Sequence, residues 1–158
     1  SAVFFSLAGC GDSTGNDSGG HDHGSHSHGN SNTDFSDYTE KRATMTENGA
    51  FFVEYEPTVE PIAVNELFEI EVSVYETDKK EAHVEKADVS VKAKMPTHGH
   101  GMNTDPNVSK DSEGVFVIEG MKFHMPSNPK NPWTLEIEIT KDGTTDVAKF
   151  MVVTNEKS

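Results

Sequence analysis

From residue 46 onward, apolar and polar residues alternate with a period of two, and no stretch carries the 3.6-residue period of an amphipathic helix. Phe68, Ile70, Val72 and Val74 alternate with Glu69, Glu71, Ser73 and Tyr75. This is the pattern of an antiparallel strand with one dry and one wet face. Val89, Val91 and Ala93 repeat it against Ser90 and Lys92. Trp133, Leu135, Ile137 and Ile139 do so against Thr134, Glu136, Glu138 and Thr140. Residues 50–56, 114–119, 121–125 and 146–154 complete a set of about seven short strands, and Lys141, Asp142 and Gly143 mark a hairpin between the last two. The expectation is an all-β domain over residues 46–154, an immunoglobulin-like antiparallel sandwich, with a small barrel as the competing architecture.

The chain before this domain has a different character. Residues 11–32 contain only Gly, Asp, Ser, Thr, Asn and His. They cannot bury enough apolar surface to offset the entropy of ordering, so residues 10–45 are expected to be a flexible, disordered linker. This tract explains why apolar residues make up only 33% of the chain without implying a weak core.

Residues 1–9 are uncharged and mainly apolar, and end in small residues directly before Cys10. That is too short to span a bilayer, which takes about 20 apolar residues, and it reads as the remnant of a secretory signal. Leu7, Ala8, Gly9 and Cys10 resemble the lipobox of bacterial lipoproteins, which implies a lipid on Cys10 and an anchored protein in the cell envelope, facing the periplasm or the exterior. Gly11 after the cysteine favours the outer membrane in an organism that has one, by resemblance to sorting signals. Cys10 is the only cysteine, so no disulfide forms within the chain and the domain relies on its core. The net charge of −14 disfavours nucleic acid as a partner, because phosphate recognition takes clustered Lys and Arg.

Two segments carry candidate metal chemistry. His21, His23, His26 and His28 place four imidazoles in the linker, a composition suited to capturing zinc, copper or nickel. In the domain, His98, His100 and Met102 are spaced by two, so an extended backbone sends all three side chains to one side, about 6.5 Å apart. Imidazole with thioether suits copper, above all Cu(I), better than magnesium or calcium. Met95 shares the buried parity of Val89, Val91 and Ala93, so it is a core residue or a further ligand. Met121, Phe123 and Met125 share one parity, which puts His124 on the opposite, wetter face, where it joins the site only if the fold brings it near. His83 has no such company and is expected at the surface.

The run from Phe68 through Met95, His98, His100 and Met102, then Pro106 to Val108, Gly114 to Phe116, Phe123 to Met125 and Trp133 to Leu135, resembles the YtkA-like domain family over about residues 46–154. The resemblance implies an immunoglobulin-like fold on small exported or membrane-anchored proteins, often associated with copper or respiratory-oxidase systems. Two departures stand out: the family's Met-x-Gly-x-Trp arrangement is replaced by a longer Pro-rich loop from Met125 to Trp133, and His98 stands where methionine is also familiar.

Together these features lead to the expectation of a membrane-anchored lipoprotein that binds a transition metal, copper first, for delivery or homeostasis. The alternatives are a sandwich that docks on a membrane complex, and zinc or nickel buffering by the histidine-rich tail. No nucleophile sits in a recognisable motif and no glycine-rich phosphate loop is present, so an enzyme is not expected.

Overall fold

The structure, a computed structural model, describes residues 39–155. They form nine strands and no helix: β1 (Ala43–Met45), β2 (Phe52–Pro57), β3 (Leu67–Tyr75), β4 (Asp88–Met95), β5 (His100–Gly101), β6 (Asn107–Lys110), β7 (Phe116–Lys122), β8 (Trp133–Lys141) and β9 (Thr144–Val152). Two separate antiparallel sheets, ordered β1-β2-β3-β7-β6 and β5-β4-β8-β9, make a sandwich and not a barrel. The first sheet begins at Ala43, slightly before the expected start at residue 46.

The alternation read from the sequence is the burial pattern of the long strands. Phe68, Ile70, Val72 and Val74 of β3 face Trp133, Leu135, Ile137 and Ile139 of β8 through a shared core, all at 7% exposure or less. Removing such side chains from water stabilises the fold by roughly 1.5–3 kcal/mol each. Asp142 and Gly143 turn β8 into β9 with φ of 51° and 82°, the two left-handed residues of a type I′ hairpin, and Lys141 pairs with Thr144.

The strand count departs from the sequence reading in two ways. β1, β5 and β6 are too short to carry a detectable alternation. Conversely, residues 114–119 and 121–125 belong in the main to one strand, β7, interrupted by a bulge. Phe68 pairs with Met121 and Ile70 with Ile118, so Glu119 and Gly120 together stand opposite Glu69. Gly120 takes φ of 81°, which lets the extra residue fit. The inward parity changes at this point, from Phe116 and Ile118 before it to Met121 and Phe123 after it.

Candidate metal centre

The ends of β4, β7 and β8 meet at one end of the sandwich, where three of the four described histidines, His98, His100 and His124, gather. β4 does not run into an open loop after Met95. The His98 N–H donates to the Met95 carbonyl at 3.1 Å, the Gly99 N–H donates to the Pro96 carbonyl at 3.3 Å, and Gly99 adopts φ of 65°. The chain reverses and lays β5 along β4, pairing His100 with Met95 and Gly101 with Lys94; next, the Met102 N–H donates to the Ala93 carbonyl at 2.9 Å. Opposed residues of an antiparallel pair project to the same face. His100 and Met102 therefore lie on the inner face, above Met95 and Ala93, as their spacing by two predicts. His98 sits in the turn itself.

His124 arrives from the other sheet. Phe123 before it is fully buried, stacks on Trp133 at 4.8 Å between ring centres and 12° between planes, and its carbonyl accepts from the Asn65 N–H at 2.8 Å. With the chain held there, the His124 ring stands edge-to-face against Trp133 at 5.4 Å and against His100 at 5.9 Å. His100 stacks in turn on His98 at 6.4 Å and 19°. The three imidazoles form a row from the exposed turn to the buried Trp133. Trp133 is fixed from behind, its Nε1–H donating to the Met125 carbonyl at 3.0 Å. The Pro-rich loop that follows is pinned to the strand end after β9, where the Ser127 N–H donates to Thr154 Oγ1 at 2.9 Å and the Thr154 N–H donates to Ser127 Oγ at 2.8 Å.

One atom in this row is anomalous. Nδ1 of His124 is buried and has no hydrogen-bond partner. A buried polar nitrogen left unpaired costs about 1–3 kcal/mol, and native structures hold few of them. His124 is half-buried on the strand face opposite the fully buried Met121 and Phe123, as its parity predicts, and there its ring meets His100 and Trp133.

Met95 and Met102 separate here. Met95 is fully buried and part of the core, directly opposite His100 in the β4–β5 pair. Met102 is half-buried at the rim of that core. Among the described residues no group of three or more His, Cys, Asp or Glu side chains is arranged to hold a metal. Cys10, His21, His23, His26 and His28 lie outside the described residues.

His83 is not the surface residue expected. It is half-buried against Tyr75, with ring centres 4.9 Å apart; its Nδ1 lies 2.9 Å from the Glu113 carbonyl and its Nε2 3.1 Å from the Tyr75 hydroxyl. The carbonyl can only accept, so Nδ1 carries the proton and Nε2 accepts from the hydroxyl. Both nitrogens are thereby occupied in tying the segment before β4 to that before β7. The partners are far apart in sequence, so no local pattern announces them. No protein-family model, curated protein or solved structure matches the chain.

Proposed function

We propose that this chain is a non-catalytic, lipid-anchored envelope protein of the YtkA-like kind that binds a transition-metal ion as cargo, copper before zinc or nickel. The observation that carries the reading is the buried, unpartnered Nδ1 of His124 in ring contact with His100. An ion satisfies such a nitrogen without requiring a proton donor. Metal–imidazole bonds are about 2.0–2.1 Å, so two rings sharing one ion stand about 5–6.5 Å apart centre to centre, a range that includes the 5.9 Å between His100 and His124. Met102, on the same face as His100, supplies a soft thioether, and His98 a further imidazole at the exposed end of the row. This donor set favours Cu(I). The tail histidines His21, His23, His26 and His28 are assigned to capture nearer the lipid on Cys10.

The test is an anaerobic competition titration of Cu(I) into the full chain with its four tail histidines replaced by Gln. One tight site is expected, lost or weakened at least about tenfold in His100→Ala, Met102→Ala and His124→Leu. Unchanged affinity in all three sinks the domain site. Restoring the tail histidines and measuring bound zinc, nickel and copper separates buffering by the tail from binding by the domain.

A docking module is the second reading, favoured by Leu67 at 68% exposure and Val59 at 51%, which line one open depression and so form a shared apolar patch. Retention of a membrane partner from detergent extract in the presence of chelator would support docking independent of metal.

A further inference from the structure

The outer edge of β4 is paired at one end only. β5 covers Lys94 and Met95, and the Met102 N–H reaches the Ala93 carbonyl just before them. Backbone groups of alternate residues in an antiparallel strand point to the same side. Those of Val89 and Val91 therefore point the same way as those of Ala93, where no other strand of the described chain lies. Beneath this stretch a cleft of about 600 Å³ opens between the sheets, with Val89, Val91, Met102 and Val108 in its walls. The open stretch runs over residues 88–92, entered from a left-handed turn at Lys86, φ 53°, which ends any upstream continuation of the strand.

An unpaired edge invites a second strand, and lysines on edges usually prevent this by repulsion. Here the lysine has a counterpart. Asp88, Ser90 and Lys92 are the exposed, outward-facing residues of the stretch, with the acid and the base placed symmetrically about Ser90. Among the described residues neither Asp88 nor Lys92 enters an ion pair. If the stretch pairs antiparallel with itself about Ser90, each Asp88 stands opposite the second copy's Lys92, and Val89 and Val91 exchange backbone hydrogen bonds with the second copy's Val91 and Val89. A register centred one residue further along β4 drives the incoming strand into β5. One centred a residue earlier sets Lys92 opposite Lys86.

We infer that the open edge of β4 is a self-association surface, on which a second copy of this chain adds its own residues 88–92 in this one register. Two four-stranded sheets become one continuous sheet with two-fold symmetry, and the mouth of the cleft is covered. The inference is independent of the metal reading.

The test uses the full chain with Cys10→Ser, so that introduced thiols are the only ones. Ser90 lies on the two-fold axis at a non-hydrogen-bonded pair, where Cα atoms are about 4.5 Å apart, within disulfide range. Ser90→Cys is expected to form a disulfide-linked dimer on mild oxidation. Asp88→Cys alone is expected to stay monomeric on oxidation, its two copies being about 13 Å apart along the strands. In sedimentation equilibrium, Lys92→Glu and Asp88→Lys should each weaken association about tenfold or more, and the exchange Asp88→Lys with Lys92→Asp should recover it. A monomer at every concentration up to the solubility limit overturns the inference. So does a dimer indifferent to both charge reversals, or Asp88→Cys cross-linking as readily as Ser90→Cys.

Discussion

At Asp146, a carboxylate is buried to 3% exposure and, among the described residues, enters no ion pair. Burial pushes its pKa up, but hydrogen bonds from the Thr46 side chain and from the Ala50, Val147 and Asn48 N–H groups outweigh it, and the group is held well below the ordinary carboxylate range. Asn48 adds its side-chain amide at 2.9 Å. The charged form thus clamps the 46–50 turn to the start of β9. Because the folded pKa is depressed, the contribution is fully present above the unfolded value near 4 and is lost as pH falls below it. Asp146→Asn should cost about 2–3 kcal/mol at pH 7 in urea denaturation, and should flatten the loss of stability below about pH 4. His124 predicts the opposite sign. Its orphan nitrogen is a liability to the metal-free fold, so His124→Leu should leave that fold as stable as the parent or about 1 kcal/mol more stable, while abolishing the response of Trp133 fluorescence to metal. A loss of 2 kcal/mol or more in the metal-free protein would mean that the ring is structural packing.

At the scale of elements, the bulge in β7 decides where His124 points. Before Gly120 the even-numbered residues face the core, and after it the odd-numbered ones do; a regular strand would send His124 inward and Phe123 out. Gly120→Ala meets no atom within 4 Å, so its cost is backbone strain alone, about 1–2 kcal/mol at φ 81°. Deleting Gly120 removes the phase change itself and should abolish cooperative unfolding, with loss of metal affinity in any residual folded fraction. The same element marks the limit of what the sequence discloses. The long strands and the Asp142–Gly143 hairpin are legible because a half-buried strand must alternate and a tight turn must use left-handed residues. Both halves of β7 were legible too, but their union was not, because two parities read as two strands. β5 escapes for another reason: its two residues carry no period, and only the close approach of β4 makes His100 part of a sheet. The spacing of His98, His100 and Met102 therefore disclosed the candidate ligands, whereas the approach of His124 depended on a bulge and a sheet-to-sheet packing that no local pattern encodes. His83 is the mirror case, isolated in sequence yet fully partnered through Tyr75 and Glu113.

For the whole molecule, the question is whether cargo is held by the fold or merely by the chain. A ligand that binds only the native state stabilises it by RT ln(1 + [L]/Kd), about 2.7 kcal/mol when free ion exceeds Kd about a hundredfold. Imidazoles assembled from β5 and from the residues after β7 exist as a set only in the folded sandwich, since His100 and His124 come together from opposite sheets. Metal at that row should raise the melting temperature, by roughly 10 °C for a domain of this size. Histidines 21, 23, 26 and 28 are neighbours in the sequence whether the domain is folded or not, so binding confined to them favours neither state and leaves the melting temperature where it was. Replacing the four tail histidines should therefore reduce the amount of metal bound while preserving the thermal shift, and His100→Ala with His124→Leu should do the reverse. Calorimetric melts of the two variants, each with and without excess ion, divide the two roles; a shift that follows the tail substitution instead would move the specific site out of the sandwich altogether.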